Sequence, residues 1–148
     1  MPLRSTVLLI LAALATFSGL SANAGLPAIT VISHGFTSGD KGIWVQAMAE
    51  AVVARAGEGS IYRYTGATGA WTFVGGDGTT DVLALIFNWV PESDAPDIGP
   101  NLNYVQAAGD ALQAMLRDAK YVGGSGPADL VTGRAVHLLG HSRGACVM

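Results

Sequence analysis

The last fifteen residues, RAVHLLGHSRGACVM, limit most sharply what this chain can fold into. An apolar run, Ala135-Val136-His137-Leu138-Leu139, leads into Gly140-His141-Ser142-Arg143-Gly144, and Ala145-Cys146-Val147 opens a helical pattern. This reads as a buried strand entering a GxSxG turn, in which a strained strand-to-helix reversal pushes the serine hydroxyl out of the sheet. Gly140 and Gly144 supply bare backbone where a side chain would strike the neighbouring helix or strand. Ser142 is thus a candidate nucleophile, with the Arg143 N–H placed at the helix start to receive negative charge developing on a carbonyl oxygen.

A second turn of the same kind lies far upstream. Residues 28–33 (AITVIS) are short, apolar and β-branched, and His34-Gly35-Phe36 interrupts them. A continuous apolar run of this length fits a strand covered on both faces of a parallel sheet. The HG step after it is the place for an oxyanion loop, with Phe36 as the second N–H donor. His34 reads as the residue that fixes that loop, because in this architecture the acid and the catalytic histidine follow the serine in sequence. No such pair follows Ser142 before Met148, so the expectation is the N-terminal part of one domain, truncated after the elbow and nearly inactive alone. Its elbow strand would lack its next neighbour, leaving an apolar edge open and the chain poorly soluble.

Bulk properties narrow the class. The chain has 148 residues, enough for one domain. It is 50% hydrophobic and 13% charged with a mean hydropathy of +0.40, which excludes an extended disordered chain. A net charge of −3 and a pI near 5.4 offer no basic surface for nucleic acid. One cysteine, Cys146, cannot form an internal disulfide. At the N-terminus, Arg4, the apolar run 7–15 and the small-x-small step Ala22-Asn23-Ala24 describe a signal peptide over 1–24, which predicts a secreted or periplasmic mature chain, 25–148.

Between the two turns the pattern alternates strand and helix. A helix is expected over 43–56, with Trp44, Met48 and Val52 on its core face and Asp40 as a cap. Residues 60–74 read as a hairpin turning at 66–69, its aromatics ordinary strand formers. The Gly-rich loop 75–81 carries Asp77 and Asp81, too few oxygen ligands for calcium, and no metal site is expected. A second central strand spans 82–89, followed by a long loop, 90–103, that carries Asp94 and Asp97. A helix over 104–119 shows Val105, Ala108, Leu112, Met115 and Ala119 on one face, with Asn103 as cap; close approach to the sheet would explain Gly109. Residues 121–133 read as a loop. His137 is expected to pack under a helix, and His141 to point away from the Ser142 hydroxyl.

In this order the segments resemble the secreted pancreatic-type, lipoprotein-lipase-like branch of the α/β-hydrolase lipases. VISHGFTSGDKGIWVQAMAEAV is similar to the family's oxyanion loop and following helix, LIFNWV to its next strand, YVQAAGDALQAML to its next helix and VHLLGHSRGACV to its nucleophile elbow. The resemblance implies an α/β-hydrolase-like fold with a mostly parallel sheet and flanking helices. It also implies Ser142 as nucleophile, Phe36 and Arg143 as oxyanion N–H donors, and His34, Gly35, Gly140 and Gly144 in support. The implied substrate is a carboxylic ester, lipid esters included, with transient contact to a lipid surface and no cofactor. The chain departs from the family at Asn88-Trp89, where Asp-Trp is usual, at Arg143, where leucine is common, and in lacking the disulfides of animal members. Two other classes remain open: a non-catalytic export or binding protein of this fold that holds a ligand at the aromatic hairpin, and an amidase or peptidase, which the GxSxG turn also serves.

Overall fold

The structure, a computed structural model, describes residues 27–36, 43–90, 92–94 and 103–148. The signal-peptide segment, Asp40 and Asp97 lie outside those residues. A six-stranded sheet forms the centre: β1 (Ala28–Ser33), β2 (Ser60–Thr65), β3 (Ala70–Gly76), β4 (Val82–Asn88), β5 (Tyr121–Val122) and β6 (Ala135–Gly140), in the spatial order β5-β3-β2-β4-β1-β6. The four strands β6, β1, β4 and β2 run parallel, β3 returns antiparallel to β2, and β5 runs parallel to β3. The fold is therefore α/β, with a mixed, mostly parallel sheet.

Helices α1 (Ile43–Ala56) and α2 (Tyr104–Arg117) cover opposite faces. Side chains alternate along each strand. In β1 and β4, Ile29, Val31, Leu83, Leu85 and Phe87 turn towards Leu112 and Leu116 of α2, while Ile32, Ala84 and Ile86 turn towards Val45 and Ala49 of α1. Two covered faces explain why these strands read as unbroken apolar runs.

Several expectations shift by a residue or an element. The buried stripe of α1 is Val45 and Ala49, so Met48 is exposed; Ala49 is small enough to bring the helix onto the sheet, and Trp44, half-buried, packs beside that contact. Asn103 makes no side-chain cap bond, because its backbone is helical (φ −91°, ψ −2°) and not the extended form that lets the side chain reach back. Leu116 joins the core stripe of α2, and Ala119 lies beyond the helix with its N–H bonded to the Ala128 carbonyl at 2.8 Å. A β-carbon on Gly109 would sit 3.2 Å from the Val147 carbonyl, so what approaches α2 there is the elbow helix and not the sheet.

Residues 121–133 carry more order than their Gly/Pro content suggests. Tyr121 and Val122 pair with Trp71 and Thr72. The Tyr62 hydroxyl donates to the Ser125 carbonyl at 2.7 Å, and the Tyr121 hydroxyl to the Pro127 carbonyl at 3.0 Å. Burial raises both phenols above their usual range. The hairpin aromatics are mostly core, with Tyr62 and Trp71 fully buried and the Trp71 indole N–H donating to the Met115 carbonyl at 3.2 Å. Strand β6 is the outermost in the sheet order, and Leu138 and Leu139 are 44% and 40% exposed. His137, expected under a helix, is exposed, because β6 ends the sheet and pairs with β1 alone among the described residues.

Asp77 and Asp129 fasten turns. Asp77 accepts from the Thr79 N–H, the Thr79 hydroxyl and the Gly59 N–H; Asp129 accepts from the Val131 and Thr132 N–H groups and the Thr132 hydroxyl. Each carboxyl is held below the usual 3.8, first by the backbone N–H of Thr79 and of Thr132 respectively. A carboxyl with a lower pKa folded than unfolded stabilises the fold above the unfolded value and loses that contribution as pH falls through the folded one. The melting temperature should therefore drop below about pH 4. An Asp77→Asn, Asp129→Asn double variant should show a shallower drop in circular-dichroism melts.

Candidate active site

The site begins with strand register. Because β1 and β6 are parallel neighbours with Ser33 opposite Gly140, the His34-Gly35-Phe36 turn and the GxSxG turn leave the same end of the sheet side by side. The His141 N–H donates to the Ser33 carbonyl at 3.1 Å, carrying the pairing one residue past β6. The chain then reverses into α3 (Arg143–Val147) through Ser142, at φ 54° and ψ −126°. Ser142 is the one non-glycine residue with positive φ among the described residues. Such backbone costs about 1–3 kcal/mol and persists only where its surroundings hold it.

Those surroundings are glycines packed against backbone. A β-carbon on Gly140 would come within 2.5 Å of the Ala145 α-carbon and the Gly144 carbonyl oxygen. One on Gly144 would strike the His34 carbonyl oxygen and lie 2.7 Å from that of Ser33. One on Gly35 would lie 2.6 Å from the Ser142 β-carbon and 3.2 Å from its hydroxyl oxygen. The loop after β1 and the elbow after β6 are thus in contact through Gly35 and Gly144, while Gly140 packs within the elbow itself, and none of the three positions tolerates a side chain. Ser142 itself is exposed.

His34, fully buried, organises the first turn. Its Nδ1 lies 3.0 Å from the Gly35 carbonyl, an acceptor only, so Nδ1 carries the hydrogen. Nε2 lies 3.0 Å from Asn88 Oδ1, which also accepts the Val90 N–H at 3.4 Å, and 3.4 Å from the Trp89 N–H. The Trp89 indole N–H donates to the His34 carbonyl at 3.1 Å, and the two rings stack with centroids 6.0 Å apart. Asn88 and Trp89, at the end of β4, therefore clasp the HG turn from one side while Gly144 seats against it from the other. The sequence places these two residues at the end of a central strand, with Asn88 standing where the resembled family has Asp, and gives them no part in the HG turn. The available signal was a tryptophan ending a buried strand, whose N–H must find an acceptor.

Phe36 and Arg143 meet through their side chains. The Arg143 guanidinium lies 4.2 Å above the Phe36 ring centroid, and its Nη1 donates to the Ser93 carbonyl at 3.1 Å. A cation over an aromatic face contributes roughly 0.5–1 kcal/mol at an exposed site. Position 143 thus supplies more than backbone: its side chain joins the loop after β1, the elbow and the segment after β4. Ser93, fully buried, is a contributor that the sequence did not signal.

All seven residues singled out from sequence, His34, Gly35, Phe36, Gly140, Ser142, Arg143 and Gly144, lie in these two adjoining turns. Of the three histidines, His34 is committed to the HG turn, His141 is exposed and set edge-on to Trp44 at 5.9 Å, and His137 is exposed on β6. Among the described residues no three His, Cys, Asp or Glu side chains converge to hold a metal ion, and no helix is long and apolar enough to cross a membrane. The chain has no match among protein-family models, curated proteins or solved structures.

Two substitutions separate the parts of this arrangement. Gly144→Ala should destabilise the protein by about 3 kcal/mol in urea unfolding, since the obstructing atoms are backbone carbonyls that cannot turn away. Trp89→Phe keeps the ring packing but leaves the buried His34 carbonyl without its indole donor, and should cost about 1–2 kcal/mol in the same measurement.

Proposed function

We propose that this chain carries the nucleophile and oxyanion turns of an exported serine hydrolase of the α/β-hydrolase type, similar to the pancreatic-type lipases, which cleaves carboxylic esters through an acyl-enzyme on Ser142. The observation that carries the reading is the backbone of Ser142, strained at φ 54° between two glycines that admit no β-carbon. A turn connecting a strand to a helix has no need of such strain. A turn that must hold a hydroxyl clear of the sheet does.

In this reading the Ser142 oxygen attacks the ester carbonyl as a general base takes its proton, and the carbonyl oxygen becomes an anion received by the Phe36 and Arg143 amides. Collapse expels the alcohol and leaves the acyl group on Ser142, and water then releases the carboxylic acid. His34 and Trp89 act on the position of the oxyanion turn and not on the proton. The Arg143–Phe36 stack holds the two donor segments at a fixed separation.

The test uses protein expressed from its complete reading frame, assayed with p-nitrophenyl esters of graded chain length and with a peptide p-nitroanilide. Ester turnover should appear and should fall at least about 10³-fold in Ser142→Ala. Equal ester turnover by the alanine variant would overturn the assignment. Preference for the anilide would favour an amidase or peptidase, and ligand binding without turnover of either substrate would favour a binding protein.

A further inference from the structure

A cavity of about 550 Å³ lies at the C-terminal ends of β2 and β4, between the sheet and the N-terminal half of α2. Tyr64, Phe87 and Trp89 line its sheet side, and Ala107, Ala108 and Ala111 its helix side. The gap follows from side-chain size. Further along the same helix Leu112 and Leu116 are buried in the core, whereas at 107, 108 and 111 the helix brings only methyl groups. A volume of this size is in the range of sites that enclose small organic molecules.

The aromatic wall is fixed across three strands. Tyr64 lies opposite Phe87 in the β2–β4 pairing and opposite Trp71 in the β2–β3 pairing. Its ring stacks on Phe87 at 5.0 Å and meets Trp71 edge-on at 5.6 Å, while the indoles of Trp71 and Trp89 donate to the Met115 and His34 carbonyls. Rings held this way keep the space beside them open.

Two further observations limit the occupant. No described residue lining the cavity carries a charge, so an ionised group would lose hydration there without gaining a counter-charge. The hydroxyls of Tyr62 and Tyr121 donate to backbone carbonyls, whereas that of Tyr64 has no hydrogen-bond partner among the described residues. It is a polar handle on an otherwise apolar wall.

We propose that this cavity binds a neutral, planar aromatic molecule that carries one hydroxyl or carbonyl oxygen, with its ring against Tyr64 and Trp89 and its oxygen bonded to the Tyr64 hydroxyl. None of the residues in the two turns around Ser142 lines the cavity, and the inference does not rest on the ester-hydrolase reading. The preference for an aromatic ring comes from the wall, because rings gain on ring neighbours beyond what their buried area provides.

The experiment titrates protein expressed from its complete reading frame with 2-naphthol, flat and neutral at pH 7, in a calorimeter. Binding should be roughly three- to tenfold weaker for decahydro-2-naphthol, which keeps the hydroxyl and loses the aromatic rings. It should be at least about tenfold weaker for 2-naphthalenesulfonate, which keeps the rings and adds a charge. Ala111→Phe fills the cavity from the helix side and should weaken 2-naphthol at least about tenfold. Ala107→Phe, at a more exposed position, should act in the same direction if the first variant folds poorly. Tyr64→Phe should weaken 2-naphthol about two- to tenfold, and Trp44→Phe, on the α1 face of the sheet, should leave it unchanged. Absence of 2-naphthol binding, binding no tighter than that of either analogue, or equal binding by folded variants with a filled cavity would overturn the site. Equal binding by Tyr64→Phe would overturn the part given to its hydroxyl. Ester turnover enters none of these readouts, so the cavity and the hydrolase reading fail separately.

Discussion

The contact between Gly144 and the carbonyls of Ser33 and His34 is the constraint from which the rest of the site follows. Two parallel strands with Ser33 opposite Gly140 bring their terminal turns together, but the turns nest only if the elbow helix can lie against bare backbone of its neighbour. With that seat filled, Ser142 takes a positive φ, Gly35 lies against its side chain, and the residue is exposed. Sterics between main-chain atoms, not the chemistry of serine, set the geometry.

The support is layered away from the serine. Trp89 and Asn88 fix His34 from β4, and Arg143 spans from the elbow to Phe36 and the Ser93 carbonyl. Each of these residues bonds a backbone group or packs on a ring where the turns meet. The site is therefore held by three successive strand ends, β4, β1 and β6, and a disturbance at any one reaches the others through one or two contacts.

Much of this was legible because the signals were local. Apolar runs mark β1, β4 and β6, and the HGF and GxSxG steps mark the ends of β1 and β6, so the residues of the two turns could be named from motif and resemblance. What escaped sequence reading depended on tertiary partners. The buried stripe of α1 differs by one residue from its most hydrophobic stripe, because the small Ala49 allows closer docking than Met48. The two-residue strand β5 exists only because Trp71 and Thr72 offer it an edge, and nothing in Tyr121-Val122 announces that pairing. The roles of Asn88, Trp89 and Ser93 are contacts across more than fifty positions, or to a carbonyl, and no periodicity encodes them.

The sheet order also governs when the site can come into being. Strand β1 emerges first, yet its two neighbours are β4 and β6, the latter more than a hundred residues further on. Contacts that close so large a loop form late, after the hairpin and the β4 pairings have lowered the entropic barrier. A chain still being synthesised has no elbow for the HG turn to meet, so Ser142 takes its positive φ only once β6 has docked beside β1.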